Sequence, residues 1–226
     1  MKNIKLVVAY DGTNYSGWQI QPNAVTIEQV LDNAIKQLTK EDIHVTGASR
    51  TDAGVHAMGN VAVFKTNSTI PGRRWAYALN KYLPDDVVIQ ASWEVDENFH
   101  PRRCNTVKTY EYKILNTEFP FPKERNYSWH IPHSLDIENM NTAAQLLVGE
   151  HDFKSFCCVR TQAESTVRHI YSLEVVREAS NYITIRVTGN GFLYNMVRII
   201  AGTLAQVGRG KTTFQDIENM LESKDR

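Results

Sequence analysis

The chain has 226 residues, 42% hydrophobic and 22% charged, which is ordinary for a globular protein and sufficient for one large domain or two small ones sharing a core. Its 25 basic and 25 acidic residues cancel, so composition by itself does not indicate a nucleic-acid binder. No apolar run reaches the length of a membrane span and the first residues lack a signal-peptide pattern, so we expect a cytoplasmic protein without membrane contact.

Hydrophobic periodicity predicts alternating strands and helices in the first half of the chain. The predicted elements are a strand over residues 4–10, a helix over 27–38, a short strand over 43–45, a strand around 61–64, a helix over 73–82 and an extended segment over 87–93. Thr26 and Gln29 fit a capping box at the start of the first helix. In the second helix, Trp75, Leu79 and Tyr82 are expected to face inward.

The second half repeats the same plan. The predicted elements are a strand over residues 110–114, a helix over 137–147, two strands over 170–176 and 182–187 joined at 179–181, a strongly apolar helix over 191–207 and a helix around 214–221. Gly208 is the expected C-terminal cap of the apolar helix.

This order of elements indicates an α+β fold. We expect two similar α/β halves that share one continuous, mostly antiparallel sheet with helices packed on one side. Residues 96–107 contain Pro101 and mixed charge, which suits a boundary. The predicted halves are therefore residues 1–100 and 101–226.

The loop from Gly47 to His56 is the most informative segment for function. Small residues surround one carboxylate, Asp52, and Arg50 lies two residues before it. Small residues permit close approach of a ligand, and an Asp beside an Arg stays ionised with a lowered pKa, which suits a nucleophile or a base. The alternative is that residues 52–54 form an ordinary turn, which the local pattern alone favours.

Arg198 is the one charged residue between Val187 and Gly208. Because that segment is apolar around nearly its whole circumference, we expect Arg198 to be buried and to need an acceptor. Asp52 is a candidate for a direct ion pair. The alternatives are that Arg198 reaches the surface along its own stem or pairs with a structural Glu.

Tyr110 and several histidines are weaker candidates. A strand tyrosine such as Tyr110 is usually half-buried core, although it can also serve as a stacking platform for a base or as a general base. His130 and His133 have HxxH spacing and His151 adds a candidate ligand, but no further ligand converges at convincing spacing. No metal site is therefore predicted. There is also no P-loop and no GxGxxG pattern.

A series of motifs in fixed order resembles the TruA-type tRNA pseudouridine synthases. The motifs are YDG at residues 10–12, GWQIQP at 17–22, GASRTDAGVH at 47–56, FHPR at 99–102, KTYEY at 108–112, GNGFLYNMVR at 189–198 and VGRG at 207–210. They extend from near the first residue to near the last, and the block around Asp52 is highly specific.

The resemblance implies a function and a set of site residues. Asp52 matches the catalytic aspartate, in a cleft on the side of the sheet opposite the helices, and Tyr110 matches the tyrosine that stacks on the target uracil. Arg198 matches the arginine that pairs with the aspartate, and Arg50 matches a residue of the RNA-binding loop. The family is dimeric, uses no cofactor, and isomerises uridine to pseudouridine at positions 38, 39 and 40 in the anticodon stem-loop of tRNA. Whether the aspartate acts as nucleophile or base stays open.

Two other function classes compete with this one. A module that binds RNA without turnover is disfavoured because Asp52, Tyr110 and Arg198 are all retained, and a metal-dependent hydrolase lacks an adequate ligand set. The candidate phosphate contacts are Arg73, Arg74, Arg102, Arg103 and Lys108. The family pattern continues beyond Arg226 with an AGxTAP-like segment and a strand reading GLxLxxV, which we expect to belong to the second half of the sheet.

Overall fold

A computed structural model describes residues 1–158, 163–179 and 181–224, which form two compact units, residues 1–104 and 105–226. The strands are β1 (Lys2–Tyr10), β2 (Thr46–Gly47), β3 (Ala57–Thr66), β4 (Val87–Val95), β5 (Lys108–Leu115), β6 (Trp129–His130), β7 (Gly149–Asp152), β8 (Val167–Ala179) and β9 (Tyr182–Gly189). The helices are α1 (Ile27–Thr39), α2 (Trp75–Leu79), α3 (Ile137–Gln145), α4 (Met196–Gly208) and α5 (Phe214–Ser223). Ser180, in the predicted connection between two strands, and Asp225–Arg226 at the end of the chain lie outside the described residues.

The first unit is a four-stranded antiparallel sheet with strand order β2-β3-β1-β4. Alternate residues of β1 point into a core shared with α1 and α2. The fully buried members include Ile4, Leu6, Val8, Leu31, Ile35 and Trp75. As predicted, α1 begins at an N-cap, where the Thr26 side chain accepts a hydrogen bond from the Gln29 amide.

The second unit is a five-stranded sheet with strand order β6-β5-β9-β8-β7. All pairs are antiparallel except β5 and β6, which run parallel over two residues. One face packs on α3 and α4. On the opposite face Arg186 forms ion pairs with Glu111, Glu174 and Glu178 at 2.8, 2.6 and 3.7 Å.

The predicted α+β class is confirmed. Among the described residues the hydrogen-bonded ladders define two sheets, so the expected single continuous sheet is not confirmed and stays a prediction. None of the helices in the described part of the chain combines the length and hydropathy needed to cross a bilayer.

Two details of the first half were predicted wrongly. The short strand predicted over residues 43–45 lies later, at β2, because the Val45 amide donates to the Asp32 carboxylate of α1 (2.9 Å) and not to a neighbouring strand. Tyr82 is 43% exposed, whereas we expected it to face inward. The helix ends before it, where the Asn80 side chain forms two hydrogen bonds with the backbone of Ile89 (3.0 and 2.8 Å).

Candidate active site

Residues 48–56, hereafter the Asp52 loop, connect two paired strands of the first unit. β2 pairs with β3 in the register Gly47↔Ala62, and the Ala48 amide continues the ladder by donating to the Val61 carbonyl (2.7 Å). Both ends of the loop are therefore fixed by the same sheet.

A second segment, residues 11–19 between β1 and α1, supports the Asp52 loop through backbone hydrogen bonds. The Trp18 amide donates to the Thr51 carbonyl (3.0 Å), and the Gly54 amide donates to the Tyr15 carbonyl (3.2 Å). At the end of β1, the Tyr10 hydroxyl and Thr51 Oγ1 are 2.8 Å apart. The backbone on both sides of Asp52 is thus held by the 11–19 segment.

Two glycines permit this close packing of backbone on backbone. A Cβ at Gly12 would lie 2.1 Å from the Val55 carbonyl oxygen, and a Cβ at Gly17 would lie 2.5 Å from the Thr51 carbonyl oxygen. Gly17 also has φ +88°, which L residues rarely adopt. The glycines of the first two motifs are therefore needed for the position of the Asp52 loop.

Tyr15 and Asp86 attach the 11–19 segment to the residues that directly precede β4. The Tyr15 hydroxyl donates to Asp86 Oδ1 (2.5 Å), and the Asp11 amide donates to the Asp86 carbonyl (2.9 Å). Burial, followed by the neighbouring Asp86 carboxylate, raises the pKa of Tyr15 well above its usual value. Sequence reasoning missed both residues because they are 71 positions apart and neither has a distinctive local pattern.

His56 links the far end of the Asp52 loop to the same segment. Its Nδ1 accepts a hydrogen bond from the Gly12 amide (3.1 Å) and lies 3.0 Å from Asp11 Oδ1. Both side chains of the His56–Asp11 pair are 35% exposed, so solvent screens the interaction.

Asp52 is half-buried within this frame, and its carbonyl accepts a hydrogen bond from the Val55 amide (3.2 Å), which closes a tight turn. The predicted turn and the predicted carboxylate site therefore coincide in one loop. Arg50 is exposed, and its Nη1 donates to Gln19 Oε1 (3.3 Å) of the 11–19 segment.

In the second unit, Tyr110 lies in β5 and is half-buried. Its ring packs edge-to-face against Phe192, with the ring centroids 5.1 Å apart. This packing limits the rotation of the Tyr110 ring while leaving part of its surface exposed.

The predicted burial of Arg198 is wrong, because its side chain is exposed. The helix begins at Met196 and not near residue 191, since Asn195 adopts a left-handed conformation with φ 60°. Arg198 is therefore in the first turn of α4. The small and polar residues Gly202 and Gln206, at four-residue spacing from Arg198, give α4 one side that is not buried.

The histidines of the HxxH pattern lie in and after β6. His130 Nε2 is 2.8 Å from the Thr117 carbonyl oxygen, so one ring nitrogen already has a protein partner. Within the described ranges no group of three or more His, Cys, Asp or Glu side chains could hold a metal ion.

The chain is α+β, and one carboxylate, Asp52, lies in a loop of small residues that the glycine-containing 11–19 segment holds in place. A family profile described as tRNA pseudouridine synthase matches residues 6–102 and 143–226. The chain belongs to this family, whose members are isomerases that act on uridine in tRNA.

Curated relatives match the whole chain. "tRNA pseudouridine synthase A" of Thermoanaerobacter sp. (strain X514) is 50% identical, and the protein of the same name from Acetivibrio thermocellus is 49% identical. "tRNA pseudouridine synthase A 2" of Clostridium perfringens is 50% identical. In each case the alignment covers 100% of this chain and 92% of the relative. The resemblance found in the motifs is confirmed.

Proposed function

We propose that this enzyme isomerises uridine to pseudouridine at positions 38, 39 and 40 in the anticodon stem-loop of tRNA, without a cofactor, and that Asp52 is its catalytic residue. The assignment of Asp52 rests on the backbone hydrogen bonds that hold its loop on both sides. Hydrogen bonds to the Thr51 carbonyl and from the Gly54 amide hold the backbone on both sides, while the carboxylate-bearing residue itself stays half-exposed. Such preorganisation is what a reacting group requires.

The chemistry explains why one carboxylate can suffice. The reaction breaks the bond between N1 of uracil and the ribose, turns the base, and joins C5 to the same ribose carbon. C5 loses its proton and N1 gains one, so the protons balance. Substrate and product are isomers, so the net reaction consumes neither redox equivalents nor phosphate energy. Asp52 acts directly on the sugar or the base, as a nucleophile or as a proton acceptor.

The other predicted site residues have complementary proposed roles. A target uridine in a stem has to leave the base stack before an enzyme can reach its ribose carbon. Tyr110 would then stack on the uracil, and Arg50 would contact the RNA near the Asp52 loop. Arg198 is proposed to pair with Asp52 and to orient its carboxylate.

We further propose that the enzyme is a cytoplasmic homodimer. The tRNA substrate places the reaction where tRNA is processed. A chain of zero net charge would also benefit from joining the cationic groups of two copies into one RNA-binding surface. Sedimentation of the free protein and of its tRNA complex measures the oligomeric state.

The decisive experiment incubates the protein with unmodified tRNA in the absence of added metal and cofactor, and then maps pseudouridine by position. Wild type should modify positions 38, 39 and 40, whereas Asp52→Asn should bind tRNA and form no product. Asp42→Asn is the matched control, because Asp42 is an exposed carboxylate paired with Lys36 on the surface. Tight binding without product by wild type would instead favour the RNA-binding module.

A further inference from the structure

The turn that follows β4 is held firmly against the first sheet. Asn3 is 97% buried, and its Nδ2 donates to the carbonyls of Asp96 (2.9 Å) and Phe99 (3.1 Å). Within the turn, the Arg103 amide donates to the His100 carbonyl (3.0 Å), and the Arg102 amide donates to His100 Nδ1 (3.2 Å). The backbone from which the Arg102 side chain extends is therefore fixed relative to β1.

From this turn the Arg102 side chain reaches the start of the Asp52 loop. Its Nε donates to the Gly47 carbonyl at 2.7 Å, across 55 positions of sequence. Gly47 is the last residue of β2, and a Cβ there would lie 2.5 Å from the Trp18 ring, so the strand has little freedom on that side. Arg102 thus fixes the carbonyl at which the chain leaves the sheet to form the loop.

The Arg102 guanidinium carries further N–H donors on its two Nη atoms. Arg102 is exposed, and within residues 1–158, 163–179 and 181–224 its Nε contact is the one side-chain hydrogen bond it makes. A guanidinium is planar and rigid, with two N–H groups on its Nη edge that match a phosphate in bidentate geometry. One side chain can therefore hold the Gly47 carbonyl through Nε and a phosphate through its Nη edge at the same time.

We propose that Arg102 is a positioning residue that couples binding of an RNA backbone phosphate to the placement of the Asp52 loop. This inference rests on the proposed function, because the phosphate is supplied by the tRNA substrate. A phosphate on the Nη edge fixes the plane of the guanidinium, and the plane sets the direction of the Nε–H group. The Gly47 carbonyl then has one preferred orientation when RNA is bound, so the loop is more rigid in the complex than in the free enzyme.

The test compares Arg102→Ala and Arg102→Lys, with two measurements for each variant. The first is the single-turnover rate of pseudouridine formation at saturating enzyme, and the second is the dependence of the tRNA Kd on salt. Arg102→Ala should lower the saturated rate about 10- to 100-fold, and it should reduce the slope of log Kd against log salt by about 1. Arg102→Lys keeps a cation for the phosphate but cannot serve both partners through one rigid plane. Arg102→Lys should therefore keep the wild-type slope of log Kd against log salt but show a lower saturated single-turnover rate.

Arg125→Ala is the matched control. Arg125 is likewise exposed and donates to a backbone carbonyl, that of Pro122 (3.1 Å), but within its own turn of the second unit. It should leave the saturated rate and the salt slope unchanged. Thermal unfolding of each variant checks that the first unit is folded, and Arg102→Lys serves as the test if Arg102→Ala does not fold.

Specific outcomes would overturn the coupling. A wild-type saturated rate in Arg102→Lys removes the positioning role, and a wild-type salt slope in Arg102→Ala removes the phosphate contact. Failure of the proposed function itself is distinguishable, because wild type would then form no pseudouridine in the same assay. If wild type is active and both Arg102 variants match it, the coupling alone is wrong.

Discussion

Gly17→Ala tests whether the 11–19 segment determines the position of the Asp52 loop. The substitution adds one methyl group at a backbone with φ +88° and places it 2.5 Å from the Thr51 carbonyl oxygen. The obstacle is backbone, so a side-chain rotation cannot relieve the contact. Either the 11–19 segment or the Asp52 loop has to move.

The size of the effect follows from two contributions. An L residue in left-handed backbone costs about 1–2 kcal/mol. Restoring an ordinary contact of about 3.4 Å requires a displacement of about 0.9 Å, and overpacking of this kind adds about 1–3 kcal/mol. We therefore expect the free energy of unfolding to fall by about 2–5 kcal/mol. Because Thr51 directly precedes Asp52, a shift of nearly 1 Å should also lower the single-turnover rate about 100-fold.

Gly210→Ala is the control that separates the cost of a left-handed backbone from the cost of displacing the Asp52 loop. Gly210 has φ +67°, and a Cβ there meets no heavy atom of the described residues within 4 Å. The free energy of unfolding of Gly210→Ala should be about 1–2 kcal/mol lower than that of wild type, and its single-turnover rate should equal that of wild type. Thermal unfolding and single-turnover kinetics on both variants give the comparison. If Gly17→Ala matches Gly210→Ala in stability and turns over at the wild-type rate, the packing of the two segments does not control the site.

Three further predictions concern charge and protonation. Affinity for tRNA should fall steeply with salt, because a protein of zero net charge has to bind RNA through a local group of cations; a flat plot of log Kd against log salt would contradict this. Arg198→Lys should fail to support wild-type turnover, because an ammonium group lacks the planar fork that orients a carboxylate. Arg198 is exposed, so solvent should weaken its ion pair with Asp52. A double-mutant cycle of the two residues should therefore give a coupling energy of about 1 kcal/mol or less. Burial holds the pKa of Tyr15 in the folded protein above its usual 10.0, so Tyr15 deprotonates at a lower pH in the unfolded chain than in the folded one. The free energy of unfolding of wild type should therefore fall as pH rises above about 10. Tyr15→Phe should lack that alkaline component, and an unchanged pH profile of its thermal unfolding would count against the assignment.

Features encoded in neighbouring residues were predictable from the sequence. The start of α1 at Thr26 and the turn at Asp52 depend on contacts within a few positions, so the local pattern contains the information. The family could be predicted from the sequence because the motif blocks are specific to it, whereas the set of site residues stays a prediction. The local pattern alone favours an ordinary turn at residues 52–54.

Features that depend on distant partners were missed or misplaced. The Asp32 carboxylate removes Val45 from the strand ladder, and no pattern around Val45 indicates that partner. The two-residue strand β6 exists because it pairs in parallel with the end of β5. Exposure of Arg198 depends on where α4 starts, and the left-handed Asn195 that sets this start lies inside an apparently continuous apolar run. In each case a tertiary contact or one backbone angle overrides the local preference.

The cluster of Glu111, Glu174 and Glu178 around Arg186 bears on how a neutral protein can attract a polyanion. Three carboxylates share one guanidinium, so this cluster on the outer face of the second sheet carries an excess of negative charge. In a chain whose charges sum to zero, that excess requires an equal positive excess on other surfaces. An approaching RNA is therefore repelled from this face and turned toward the cationic surfaces before any specific contact forms. The acidic cluster thus favours the approach of RNA from other sides of the protein, and it does so without a change in the net charge of the protein.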